Sequence, residues 1–115
     1  KYAKDSRQKI ILIKSNYAAK HMHVGRFYLK EKKYTAALNR FKIVVEDYSS
    51  SKFTPEALHR MVEAYMAMGM IDDSLKTAST LGYNYPNSKW YEYSYDLINN
   101  KNEQGKFLNR IKEIF

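Results

Sequence analysis

Two stretches of this chain carry the same pattern of apolar and small residues 37 positions apart, and that repetition limits the fold more than any other property of the sequence. The first, HMHVGRFYLKEKKYTAALNRFKIVVEDYS, places His21, Val24, Gly25 and Tyr28 on one helical segment and Ala37, Phe41 and Ser49 on and after a second. A shift of 37 lands on Leu58, Met61, Val62, Tyr65, Ser74, Ala78 and Pro86. These keep the size classes, except that Val62 stands for Gly25 and Ala78 for Phe41. The spacing has a physical basis. Small residues at 25 and 37 let two antiparallel helices approach, while Val24, Tyr28 and Phe41 fill the space between them. A glycine inside a helix costs about 1 kcal/mol relative to alanine, so Gly25 marks close packing.

Residues 21–49 follow the tetratricopeptide pattern W-x2-L-G-x2-Y…A-x3-F…P at each offset, with His21 in place of Trp and Ser49 in place of Pro. The expectation is an all-α, tetratricopeptide-like helical solenoid of about six helices. Residues 1–98 form the repeat domain, with repeats at about 18–49 and 55–86 and a lid helix at 88–98; residues 99–115 form a linker and a short C-terminal helix. The period exceeds the usual length of about 34, and the polar SSSKF between the hairpins holds the excess. A solenoid usually needs about three repeats or more, so further repeats are expected before Lys1.

Taken in order, residues 3–31 read as one continuous helix with a stripe of Ile10, Ile13, Tyr17, His21, Val24 and Tyr28. After a turn at Glu31–Lys33, a second helix carries Tyr34, Ala37, Leu38, Phe41, Val44, Val45 and Tyr48, with Thr35, Asn39, Lys42 and Glu46 on its solvent side. Thr54-Pro55-Glu56 opens the next helix, Thr as N-cap, Pro at the first position and Glu against the dipole. That helix buries Leu58, Met61, Val62 and Tyr65 and stops at Gly69. Asp72 and Asp73 start a helix that carries Ile71, Leu75, Ala78 and Leu81; LGYNYPNS is a turn. Asn87-Ser88 caps a lid helix of Trp90, Tyr91, Tyr93, Ser94, Leu97 and Ile98, which covers the last apolar face of the array. In the tail, Phe107, Leu108, Ile111, Ile114 and Phe115 recur at helical spacing, fit to pack back on the array or to meet a partner.

Chemistry is scarce. There is no cysteine, which excludes disulfides, thiolate nucleophiles and Cys-based zinc sites. His21 and His23 point about 200° apart on a helix and cannot share a metal. The pairs Glu46-Asp47 and Asp72-Asp73 sit at helix ends, where solvation and dipole matching account for them. No catalytic Ser-His-Asp order or phosphate-binding glycine loop occurs, and four glycines leave little room for one. No enzyme activity, cofactor or metal is expected. The net charge of +8 is scattered as in a solvated surface, or draws the chain to something acidic. A basic nucleic-acid-binding helical domain is therefore one alternative, marked by steep salt dependence, although no nucleic-acid motif is present. Another is a co-chaperone-like module clamping a peptide in its concave groove, with Arg26, Lys30 and His59 as candidates. Tyr83, Tyr85, Tyr91, Tyr93 and Tyr95 crowd the lid, where cap packing and partner contact both suit tyrosine.

The segments VGRFYLKEKKYTAALNRFKIVVEDY, TPEALHRMVEAYMAMG and LGYNYPNSKWY together resemble the C-terminal half of the BamD (ComL-type) family of outer-membrane assembly lipoproteins, over roughly Tyr2–Ile98. Ser49 departs from a frequent Pro, and the tail from Asn99 has no match to that pattern. The resemblance implies a five-repeat, non-catalytic scaffold at the periplasmic face of the outer membrane, anchored by an N-terminal lipid outside this chain. It also implies docking on the last POTRA domain of BamA and contacts with BamC- and BamE-like lipoproteins. Unfolded outer-membrane proteins would be engaged through upstream repeats, and no nucleic acid is implied. In the family an arginine of an Asn-Arg pair faces a BamA carboxylate, and that pair stands here as Asn39-Arg40. On the residues alone Arg40 is a solvated helix arginine. Its planar fork nonetheless suits bidentate grip of a carboxylate where lysine does not.

Overall fold

The computed structural model describes residues 2–100, with side chains from residue 5 onward. It contains α1 (Tyr2–Lys30), α2 (Tyr34–Asp47), α3 (Thr54–Ala67) and α4 (Ile71–Asn84), followed by α5 at 89–100. The described residues form five helices and no strand. Residues 101–115, where the C-terminal helix is expected, lie outside the described part. Among the described residues no helix is long and apolar enough to cross a membrane.

The 37-residue period is a property of the backbone as well as of the sequence. α2 and α4 have the same length and differ by that shift at both ends. Moving α3 back by the same amount lands on 17–30, so α1 is a first A helix with an N-terminal extension. Each A helix ends in the same way. At α3, the amide of Gly69 donates to Met66 O and that of Met70 to Tyr65 O, with Gly69 at φ 75°. At α1, Lys32 donates to Leu29 O and Lys33 to Tyr28 O, with Lys32 at φ 61°. Both are Schellman turns, which satisfy the last helical carbonyls by placing one residue in the left-handed region. Such a turn reverses the chain in three residues, so B packs antiparallel on A.

Neighbouring helices pack pairwise, α1 with α2, α2 with α3 and α3 with α4. The main core joins Ala18 and Met22 of α1, Leu38, Phe41 and Val44 of α2, Leu58 and Met61 of α3 and Leu81 of α4. Val62, Met66, Ala78 and Ile98 form a second cluster against α5.

Three local expectations are corrected. The face of α1 that enters the core is Ala18, Met22 and Gly25, one residue on from the expected stripe, while Ile10, Ile13 and Tyr17 are about half exposed. Closest approach selects the small residues, and α2 is only 14 residues long, so Tyr17, stacked on Tyr48 at 6.4 Å, marks the end of its reach. Ile10 and Ile11 lie beyond, beside a hollow that they share with Tyr48, Ser50 and Ser51. Thr54 does not cap α3: the N-cap position is Phe53, and the Thr54 hydroxyl is directed at Tyr48 O (3.3 Å) and Ser49 O (3.0 Å) at the end of α2. The stretch LGYN is helix, not turn, because α4 runs to Asn84. Gly82 is there for proximity: a Cβ on it would stand 2.6 Å from Tyr91 Cε1. Further back along α4, Ile71 and Leu75 are 42% and 43% exposed, while Ala78 and Leu81 are buried.

Candidate protein-interaction surfaces

Two polar surfaces stand out, one on the A helices and one on α2. On the A-helix side, Arg26 of α1 grips Glu56 of α3 bidentately through one guanidinium edge, Nε to Oε2 at 2.7 Å and Nη2 to Oε1 at 2.5 Å. Arg60, one turn along α3, donates to Glu56 Oε2 at 3.3 Å and to Glu63 Oε1 at 2.8 Å. Glu63 also accepts from His59 Nε2 at 3.1 Å, and the other ring nitrogen of His59 meets Ser94 Oγ of α5 at 2.7 Å. One chain of bonds therefore crosses α1, α3 and α5.

The electrostatics reflect these bonds. Burial raises the Glu56 carboxyl, but the hydrogen bonds and charges of Arg26 and Arg60 outweigh it and hold the group below its ordinary value of 4.5. Glu63 is lowered in the same way, against burial, by His59 and Arg60. The bond to Glu56 raises Arg26 in turn. Trp90 closes this face. Its ring packs on His59 and edge-on to Tyr93, with the Arg60 guanidinium 5.2 Å from its centroid, and Ser88 Oγ accepts its amide at 3.2 Å.

Two of the three peptide-clamp candidates are thus engaged by other side chains of the array. Arg26 is committed to Glu56, and His59 is buried between Glu63 and Ser94; only Lys30 is exposed, at the edge of an open hollow with Arg26, Leu29, Arg60 and Glu63. No buried side-chain polar atom among the described residues lacks a partner, and no group of three possible metal ligands occurs among them.

On the α2 side, Asn39 is exposed and Arg40 half-buried. Arg40 Nη1 lies 3.2 Å from His21 Nδ1. A guanidinium only donates, so Nδ1 is the acceptor and the His21 proton sits on Nε2. Burial, helped by the Arg40 charge, lowers the His21 pKa and keeps the ring neutral at pH 7. His21 also leans on Tyr48 at 5.9 Å. Arg40 and Asn39 project from the same turn, and Arg40 meets no carboxylate among the described residues.

The repeat positions fall at several depths. Gly25, Ala37, Phe41, Met61, Tyr65 and Ala78 are buried, Val24, Tyr28 and Trp90 are half-buried, and Pro86 is exposed in the turn after α4. Sequence reasoning missed the Arg26–Glu56–Arg60 cluster. Its partners are 30 residues apart, and Glu56 carried the local signal of an acidic first turn, which conceals a tertiary role.

The YfiO family, described as outer membrane lipoprotein, matches residues 1–81. The outer membrane protein assembly factor BamD of Rickettsia prowazekii is 52% identical over 100 residues, covering 87% of this chain and 40% of that protein. Its namesake in Caulobacter vibrioides is 43% identical over 98 residues, 85% of this chain and 32% of that protein. The one in Pasteurella multocida is 32% identical over 83 residues, 72% of this chain and 32% of that protein. The chain spans 32–40% of the length of these three relatives. With more than half of its length inside the family match, the chain belongs to the YfiO family of outer membrane lipoproteins.

Proposed function

We propose that this chain is part of a non-catalytic scaffold for outer-membrane protein assembly at the periplasmic face of the outer membrane. It docks through α2 onto the POTRA region of BamA, with BamC- and BamE-like lipoproteins as further contacts. Its relatives carry the name of an assembly factor, and stacked helical hairpins offer surface rather than a reaction centre. The observation that carries the docking surface is a contrast between arginines. Arg26 and Arg60 are paired with the carboxylates of Glu56 and Glu63, whereas Arg40 is held by a neutral histidine, so its charge remains for a carboxylate from outside. His21 fixes the guanidinium before the partner arrives, which lowers the entropy lost on docking.

The test is a titration of the chain against the POTRA domains of BamA from the same organism at physiological salt. Arg40→Ala is expected to weaken binding at least about tenfold while the helical circular dichroism stays unchanged, the size typical of truncating one partner of a hydrogen-bonded charge pair. Equal affinity of wild type and variant would remove Arg40 from the interface.

A further inference from the structure

His21 stands where the repeat pattern has tryptophan, so a ring that can titrate fills a position otherwise served by an apolar one. Either ring could pack there, but histidine adds a nitrogen 3.2 Å from Arg40 Nη1. Tyr48 leans on the imidazole at 5.9 Å and is itself stacked on Tyr17, which limits how far the ring can turn away. His21 and Arg40 are both half-buried, so a group arriving from outside can reach the pair.

The pair is matched in its neutral-ring state and mismatched after one proton. With Nδ1 bare, the ring accepts from Arg40. With Nδ1 protonated, two donors and two positive charges face each other, and both lack an acceptor. A carboxylate serves both at once, having two oxygens and about four acceptor sites. Within the chain, burial opposes the proton most, followed by the Arg40 charge of α2; Asp47 of α2 favours it and Lys20 of α1 opposes it. The carboxylate that α3 presents to α1, Glu56, is taken by Arg26. A carboxylate set against Arg40 offsets that opposing charge, and an opposite charge within about 4–6 Å favours the charged form of a titratable group.

Resting on the docking role of Arg40 given above, we propose that a partner carboxylate docks on Arg40 and His21 together, and that docking is coupled to uptake of one proton from solvent at His21 Nδ1. The ring turns from acceptor to donor. The Arg40–His21 bond is exchanged for two bonds to the carboxylate, and mild acid strengthens the interface.

The titration against the POTRA domains is repeated from about pH 8 to about pH 6, the range in which histidine changes charge, with His21→Gln as the control. Its amide can accept from Arg40 but does not titrate. Because coupled proton uptake raises affinity as pH falls, the wild-type Kd is expected to drop about tenfold more than that of His21→Gln across this range. A second readout needs no variant: ring 15N spectra of wild type are expected to show more protonated Nδ1 in the complex than in the free chain at the same pH. Parallel pH profiles for wild type and His21→Gln, or no gain of Nδ1 protonation on binding, would overturn the proposal while leaving Arg40 as the docking residue. Absence of binding, or binding indifferent to Arg40→Ala, would remove the docking reading and this inference with it.

Discussion

In the first hairpin Phe41 of the B helix lies over Gly25 of the A helix; in the second, Val62 of the A helix faces Ala78. The bulk has changed sides. A Cβ on Gly25 would come within 2.6 Å of Phe41 Cε1, so glycine is demanded by that phenylalanine rather than by the helix. Where the B helix carries alanine, the A helix can carry a β-branched residue. What is kept between the hairpins is the volume shared by a pair of positions, the condition for close packing, and not the residue at either one.

The strongest way to break this comparison is Phe41→Ala, expected to destabilise the fold by about 3–5 kcal/mol as a cavity mutation in chemical denaturation. Gly25→Val alone is expected to cost about 1–3 kcal/mol through overpacking. Placed on Phe41→Ala it rebuilds the pairing of the second hairpin and should recover stability. If the two penalties simply add, the hairpins do not share the volume rule.

The hairpins also differ in how charge is used, and the junction between them turns on Glu56. Glu56→Gln keeps the shape and removes the charge that Arg26 and Arg60 share; a loss of about 1–3 kcal/mol is expected. Because the native carboxyl is held below 4.5, its contribution is fully present above that pH and fades as pH falls through the lowered native value. Wild type should therefore lose more stability than Glu56→Gln between neutral pH and the acid range. Parallel acid curves for the two would place the stabilisation elsewhere.

The smallest effect lies in the A–B turns. Lys32 and Gly69 occupy the same left-handed position, and nothing stands within 4 Å of a Cβ on Gly69, so only backbone preference separates them. Lys32→Gly is expected to stabilise by about 0.5–1 kcal/mol and Gly69→Ala to destabilise by about 1 kcal/mol, read from denaturation midpoints. Opposite signs in the two turns sharpen the equivalence; equal signs break it.

Much of this architecture is legible in the sequence because it is periodic. The offset of the hairpins, the continuous α1 and the Gly69 turn come from spacing alone. The helical phase of α1 does not, since apolar side chains without a described neighbour resemble buried ones in a one-dimensional pattern. LGYN misleads because glycine and asparagine signal turns locally, although carrying α2 forward by one period already ends α4 at Asn84. Asn39-Arg40 is legible only through resemblance, as nothing in the local sequence separates a docking arginine from a solvated one. The Arg26–Glu56 bond has no signal at all, because it depends on how one hairpin stacks on the next.

Thr54 has a consequence for how the array comes apart. Its hydroxyl, from the first residue of α3, is directed at the carbonyls of Tyr48 and Ser49 just past α2, and Arg26 reaches from α1 to the same turn of α3. Hairpins joined only by apolar stacking behave as weakly coupled units that fray from the ends. Here the end of one hairpin is completed by the beginning of the next, so neither is fully bonded alone. Unfolding of the two hairpins should accordingly be a single cooperative event rather than an unzipping, with the coupling concentrated at the 54–56 joint.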